Sequence, residues 1–142
     1  MNSEQPGAAE ETPLRVLVYS DDRGTRQQVL ASIGRRPDPQ LPPVETIEVA
    51  TEPMVIAQVS REKFDLIILD GEAVPAGGMG IARQLKDELF HCPPILVLIG
   101  RPQDAWLATW SRADGVVAYP LEPMALARTV SGLLRQRAAV TR

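Results

Sequence analysis

Apolar residues recur along this chain in five short runs, three of them nearly continuous, that are separated by longer amphipathic stretches. The runs are RVLVYS at 15–20, VETIEVA at 44–50, DLIILD at 65–70, PILVLIG at 94–100 and GVVAY at 115–119. Runs of this length, rich in leucine and β-branched residues, indicate strands that are buried on both faces, as in a parallel sheet. The pattern therefore predicts five such strands.

The stretches between the runs carry apolar residues at the i, i+3 and i+4 spacing of amphipathic helices. They span residues 24–35, 53–62, 79–90, 103–113 and 123–137. Strict alternation of five strands with five helices predicts an α/β protein with a doubly wound parallel sheet and helices on both faces. In such sheets the chemistry lies at the carboxyl ends of the strands.

Acidic residues follow two of the predicted strands. Ser20, Asp21 and Asp22 follow the first strand, and Asp70 ends the third. In the flavodoxin-like strand order 2-1-3-4-5 these strands are neighbours, so Asp21 and Asp70 would meet at one edge of the sheet. Carboxylates this close need a cation or a proton between them, and Mg²⁺ with oxygen ligands would serve. An acid at a strand end can instead cap the next helix, which is our interpretation of Asp22.

Composition narrows the class of protein. Hydrophobic residues make up 44% and charged residues 23%, which is typical of a globular domain. No apolar run approaches the length of a membrane span. One cysteine excludes an intramolecular disulfide and favours a reducing, cytoplasmic location. The four arginines after Glu122 fit the end of a helix better than a nucleic-acid surface.

Four blocks of the sequence resemble, in order and at compatible spacing, the successive blocks of the bacterial response-regulator receiver domain. They are VLVYSDDRGTRQQVL, FDLIILDGEAVPAGGMGIARQL, PPILVLIGR and ADGVVAYPLEP. The resemblance covers residues 14–136, with a flexible tail expected at 1–13 and a C-terminal tail at 137–142. It implies a non-enzymatic signalling protein of a two-component system.

The resemblance assigns roles to the acidic residues. Asp70 falls on the aspartate that accepts a phosphoryl group from a histidine kinase. Asp21 falls on the second residue of the acidic pair that holds Mg²⁺ with it, and Ser20 falls on the first, where the family usually carries Asp or Glu. Asp22 and the backbone of Glu72 are further candidate ligands. The resemblance thus implies a weak Mg²⁺ site.

The positions that read the phosphoryl group depart from the family pattern. Ile99 stands where a Thr or Ser is expected, and Val116 stands at the aromatic switch position. Tyr119, followed by Pro120, stands where Lys-Pro is expected, and the family's Lys-Pro bond is commonly cis. Ile99 has no hydroxyl and Tyr119 can donate only one neutral hydrogen bond, so we expect a degenerate phosphate switch.

Lysine is scarce, which bears on the same switch. An acyl phosphate beside carboxylates needs a cation to offset its charge. The chain has only two lysines: Lys63 precedes the third strand, at its wrong end, and Lys86 lies midway along the third helix. Arg101, just beyond the fourth strand, is the nearest plausible cation. We expect either Tyr119 or Arg101 to cover Asp70.

Both tryptophans, Trp106 and Trp110, lie four residues apart on the predicted fourth helix. Tryptophan is enriched at interaction hot spots. In the family, helix four, strand five and helix five form the usual output and dimer surface. Either these rings contact a partner, or one or both pack against the sheet.

Three hypotheses remain open. In the first, since no effector domain follows the last predicted helix, the chain is a stand-alone atypical receiver that binds a partner protein. The second is a conventional single-domain response regulator, phosphorylated on Asp70 by a histidine kinase. The third is a flavodoxin-like ligand binder, for which the glycines at 77–80 and the adjacent His91 and Cys92 give little support.

Overall fold

The structure, a computed structural model, describes residues 11–141. Its strands are β1 (Leu14–Tyr19), β2 (Val44–Val49), β3 (Leu66–Asp70), β4 (Ile95–Ile99) and β5 (Gly115–Ala118). Its helices are α1 (Arg23–Ile33), α2 (Glu52–Arg61), α3 (Gly78–Glu88), α4 (Ala105–Ser111) and α5 (Pro123–Thr141), with a short 3₁₀ turn at Pro102–Asp104. Strands and helices alternate as the apolar pattern predicts.

All neighbouring strands are parallel, and their order is β2-β1-β3-β4-β5. The predicted fold class and strand order are therefore confirmed. Tyr19 lies opposite Leu69 on the adjacent strand, so Ser20 follows directly beside Asp70. This register brings the ends of β1 and β3 together at the carboxyl edge of the sheet.

The sheet separates two hydrophobic cores. Alternate residues of β3 serve each core: Ile67 and Leu69 face the core under α2 and α3, and Leu66 and Ile68 face the core under α1 and α5. Every residue of β3 is buried, which explains why its sequence is apolar up to the final Asp70. Burying one such side chain stabilises the fold by about 1.5–3 kcal/mol, so β3 is held firmly from both sides.

The first two helices begin at side chains that cap them. Asp22 accepts the Thr25 N–H at the start of α1, and Thr51 accepts the Met54 N–H at the start of α2. Each cap satisfies a backbone donor that the helix leaves free. The interpretation of Asp22 as a cap is confirmed.

Two helices have bounds that differ from those that the apolar periodicity predicts. The fourth was expected over 103–113, but the chain first makes the 3₁₀ turn and α4 begins at Ala105. The last helix reaches Thr141, so residues 137–141, expected as a tail, continue α5. Most of the tail expected at 1–13 lies outside the described residues. Within residues 11–141 no helix has the length and apolarity needed to cross a membrane.

Candidate functional site at the carboxyl edge of the sheet

Asp70 ends β3 and is only 3% exposed. Ser20 Oγ donates to its Oδ2 at 2.7 Å, and the Glu72 N–H donates to its Oδ1 at 2.9 Å. A buried carboxylate is costly unless hydrogen bonds replace its hydration. Here two neutral donors of the chain itself supply those bonds, one to each oxygen.

Ser20 is buried at the end of β1 and connects two acidic residues. Its hydroxyl oxygen accepts the Asp22 N–H at 3.0 Å while the hydroxyl donates to Asp70. Its carbonyl accepts Arg26 Nη1 at 2.8 Å. A serine at this position therefore gives Asp70 a hydrogen-bond donor, where an acidic residue would give it a second negative charge.

Asp21 and Asp22 are exposed and face different parts of the chain. Asp22 Oδ2 accepts both the hydroxyl and the N–H of Thr25, and these bonds hold the pKa of the Asp22 carboxyl below its usual value. Asp21 Oδ1 accepts the Val74 N–H at 3.3 Å, from the loop that follows β3. The acidic residues after β1 are thus engaged by two separate backbone segments.

The oxygen atoms expected to bind Mg²⁺ do not form a complete metal-binding site. Across residues 11–141 no three Asp, Glu, His or Cys side chains are grouped so that they could hold a metal ion. Of the expected ligands, the Ser20 hydroxyl donates to Asp70 and Asp22 caps α1. The Glu72 N–H also bonds Asp70, so only the carbonyl oxygen of the Glu72 backbone could serve as a ligand. That leaves Asp21 and Asp70 as the acidic pair, and Mg²⁺ sites need a near-octahedral set of oxygens.

Tyr119, rather than a cation, lies beside Asp70. Burial raises the pKa of the Tyr119 phenol strongly, and the charge of Asp70 and a side-chain hydrogen bond to it raise that pKa further. The phenol therefore stays neutral and can act as a donor. Its peptide bond to Pro120 is cis, as expected.

Arg101 turns away from the pocket. Its guanidinium pairs with Asp104, with Nη2 3.0 Å from Oδ1, and two thirds of its side chain is exposed. Of the two residues expected to cover Asp70, Tyr119 has this role. At the end of β4, Ile99 is fully buried in the core under α3, and Val116 of β5 packs against the same core.

The Glu72 side chain is a feature that sequence reasoning missed. Its carboxylate lies over Gly100, the residue after β4, so closely that a Cβ there would stand 2.8 Å from Glu72 Cδ. A glycine directly after a buried strand was the available signal. Glu72 adds negative charge to the rim of the pocket, where a phosphoryl group would add more.

The loop at 71–77 folds back onto the strands. The Tyr19 hydroxyl, from the end of β1, donates to the Ala76 carbonyl at 2.5 Å. At the end of the loop Gly78 packs on the Asp70 backbone, where a Cβ would lie 2.8 Å from the Asp70 carbonyl. Neither Tyr19 nor Gly78 was predicted to fasten this loop, and both do so.

Both tryptophans lie on the outside of α4. Trp106 is 67% exposed and Trp110 is 47% exposed, while Ala108 and Ser111 face inward. The interpretation that the rings pack against the sheet is wrong for both. The Arg83 guanidinium, from α3, lies 4.9 Å from the Trp110 ring centroid and donates to the Trp110 carbonyl at 2.7 Å.

Comparison with known proteins identifies the family. Over 124 residues the chain is 60% identical to an uncharacterized response regulatory protein found in two strains of Mycobacterium tuberculosis, and the match covers 87% of this chain and 93% of the relative. The chain belongs to the response-regulator family. No family model matches this response regulator.

Solved structures agree on its fold. The chemotaxis response regulator CheY4 of Vibrio cholerae superposes with a TM-score of 0.73 at 22% identity, covering 86% of this chain and 99% of that one. The signal receiver domain of a putative LuxO repressor protein from Vibrio parahaemolyticus gives 0.77 at 17% identity, covering 92% and 96%. The response regulator therefore has the receiver fold, and Asp70, Ile99 and Tyr119 lie at the strand ends that the resemblance predicts.

Proposed function

We propose that this receiver signals by binding a partner protein and that its phosphate switch is degenerate. One observation carries the proposal: each oxygen of the buried Asp70 accepts a hydrogen bond from a neutral donor of its own chain, Oδ2 from the Ser20 hydroxyl and Oδ1 from the Glu72 N–H. The Tyr119 phenol, whose pKa the charge of Asp70 raises, adds a neutral group beside them. Receivers are signalling proteins, and a receiver whose switch residues are replaced has to present its signal through its surface.

The charges around Asp70 support this proposal. A phosphoryl group on Asp70 would meet the Glu72 carboxylate and a neutral phenol. Lys63 lies at the amino end of β3, and Lys86 is engaged by Asp114 with Nζ 2.6 Å from Oδ2. Because Ile99 offers no donor, an acyl phosphate here lacks the charge-assisted bonds that stabilise phosphoryl oxygens.

The outer face of α4 is the surface we assign to the partner. Trp106 and Trp110 expose large apolar rings, and Arg83 stacks on one of them. Tryptophan and arginine are the residue types that dominate binding energy at interfaces. The alternative that we propose to test is that a second copy of this chain covers the surface, which would form a homodimer through α4, β5 and α5.

Removing both rings tests this surface. In the Trp106→Ala/Trp110→Ala variant we expect partner affinity to fall by at least about 2 kcal/mol, as for hot-spot residues. Affinity capture from the source cells, with sedimentation to score self-association, measures this. Phe90→Ala is the matched control, because Phe90 is 92% exposed but lies in the loop before β4. Equal losses in both variants would contradict the assignment.

Phosphorylation is tested separately. Incubation with acetyl phosphate and Mg²⁺, followed by mass spectrometry, should leave Asp70 unmodified, and Asp70→Ala should bind the partner like the wild type. A second candidate function, conventional phosphorylation by a histidine kinase, is favoured by the aspartate retained at the end of β3. Modified Asp70 together with altered partner binding would select that candidate.

The remaining expectations complete the proposal. Residues 14–136 would form the signalling unit, and the chain would work in the cytoplasm, where a single cysteine stays reduced. Any Mg²⁺ would bind weakly and through Asp21 and Asp70. A fractionation of source cells that places the protein outside the cytoplasm would contradict the second expectation.

A further inference from the structure

We propose that Asp21 is a positioning residue whose carboxylate anchors the 71–77 loop by accepting the Val74 N–H. In a receiver that binds a metal ion, the carboxylate at this position would instead bind the cation. The pocket of this chain is then complete without a metal. The inference concerns how the pocket is built, and it holds whether or not the proposed partner exists.

The end of β1 fastens the loop with two bonds of opposite polarity. The buried Tyr19 hydroxyl donates to the Ala76 carbonyl at 2.5 Å, and Asp21 Oδ1 accepts the Val74 N–H at 3.3 Å. Burial, followed by the charge of Asp21, raises the pKa of the Tyr19 phenol, so it remains a neutral donor. Two positions at the end of β1, Tyr19 and Asp21, thus hold the end and the middle of the loop.

Asp70 fastens the beginning of the same loop. Its Oδ1 accepts the Glu72 N–H at 2.9 Å, and its carbonyl accepts the Ala73 N–H at 3.2 Å. Ala73 is buried, and Gly78 returns the chain to the Asp70 backbone. Both carboxylates that could hold a cation, those of Asp21 and Asp70, are therefore bonded to backbone amides of this loop.

Binding a cation between these carboxylates would disturb these bonds. The ion would compete with the Val74 N–H for Asp21, and with the Ser20 hydroxyl or the Glu72 N–H for Asp70. Mg²⁺ gives up its water reluctantly and demands regular geometry, so an ion that used both carboxylates would have to share them with these N–H and O–H donors or displace the donors. Exposure of Asp21 keeps its charge hydrated in the absence of an ion.

Amide hydrogen exchange of the loop, followed by mass spectrometry in millimolar Mg²⁺ and in EDTA, tests the inference. We expect the wild type to exchange at the same rate in both solutions. Asp21→Ala should speed exchange within 71–77 by roughly three- to tenfold, the effect of losing one net hydrogen bond. Asp21→Asn, which keeps an oxygen acceptor but loses the charge, should remain close to the wild type.

The neighbouring Asp22→Ala variant is the matched control, because Asp22 bonds α1 and its effect should stay in that helix. A metal-ligand role makes the reverse prediction: Mg²⁺ slows loop exchange in the wild type, and Asp21→Asn abolishes that response. Either that result, or unchanged exchange in Asp21→Ala, would overturn the inference. These measurements need neither a partner nor phosphorylation.

Discussion

The Asp70 pocket and the outer face of α4 use their side chains in opposite ways. In the pocket, polar groups are turned inward and bonded to one another: Ser20 donates to Asp70, and Asp21 binds the loop. On α4, Trp106 and Trp110 are turned outward while small residues face the core. The polar groups of the pocket are consequently engaged within the chain, whereas the α4 face keeps exposed apolar surface.

This division changes how the acidic residues are understood. An acidic cluster that binds metal repels itself until an ion arrives, so its stability depends on that ion. A serine in the first acidic position removes one negative charge and adds a donor. If the proposed function is correct, the pocket is a structural centre, and changes to it should alter stability more than binding.

Restoring the switch should produce the largest effect. In an Ile99→Thr/Tyr119→Lys variant, a hydroxyl and a cation return to the strand ends beside Asp70. We expect acetyl phosphate to modify Asp70 detectably, at a rate at least about 10² times the upper limit that the unmodified wild type sets, which is the usual value of a donor or cation at developing charge. Intact-mass spectrometry over time measures it. Tyr119→Lys alone controls for any loss of core packing at Ile99, and an unreactive Asp70 in both variants would show that other features block the pocket.

Two glycines of α3 provide a matched pair for the packing of the loop. Gly78→Ala should lower the free energy of unfolding by about 1–3 kcal/mol, because its Cβ would stand 2.8 Å from the Asp70 backbone. Gly80→Ala has open space around its Cβ and should raise that free energy by up to about 1 kcal/mol. Urea denaturation measures both, and equal effects would mean that α3 does not press on Asp70.

Ser20→Ala probes the hydrogen bond to the buried carboxylate. Because it leaves one Asp70 oxygen without its donor, we expect a loss of about 1–2 kcal/mol in the free energy of unfolding. Partner binding should not change. Ser60→Ala is the control, since the Ser60 hydroxyl bonds only the carbonyl of its own helix turn, on an exposed face. A Ser20→Ala protein as stable as this control would show that water replaces the hydroxyl.

The smallest effect is a pH dependence at the start of α1. The pKa of Asp22 is lower in the folded chain than in the unfolded one, mainly because of the hydrogen bonds from Thr25. Its contribution to stability is therefore present above the unfolded pKa and lost as the pH falls through the folded one. Asp22→Ala should reduce the fall in melting temperature on acidification below about pH 4. If the melting temperatures of the wild type and of Asp22→Ala fall equally on acidification, the cap does not contribute to stability.

The sheet was predictable because β4 is apolar throughout and β3 is apolar up to its final Asp70, a pattern that burial on both faces explains. That the ends of β1 and β3 meet followed from the strand order alone, although the contact with Asp70 was expected from Asp21 and is made by Ser20. Both conclusions depend on the backbone topology, which the alternation of strand and helix restricts to very few solutions.

The details that escaped prediction depend on side-chain direction. Which residues of α4 face inward depends on where the helix begins. Because a 3₁₀ turn comes first, the helix begins at Ala105 rather than at residue 103. The covering of Gly100 by Glu72 and the bond from Tyr19 to Ala76 join segments far apart in sequence. Nothing in a local pattern specifies such contacts. The part of α5 beyond residue 137 was not predicted because the apolar spacing fades there. No proline or glycine ends the helix at that point.

The pairing of Lys86 with Asp114 has a practical consequence for labelling. Asp114 accepts both Lys86 Nζ and the Ile95 N–H, and the lysine side chain is only 17% exposed. The other lysine, Lys63, is exposed before the amino end of β3. Of the two lysine side chains, an amine-reactive dye will therefore modify Lys63 first. Lys63 lies at the amino edge of the sheet and Asp70 at the carboxyl edge. A dye on Lys63 can therefore report complex formation without contacting the pocket.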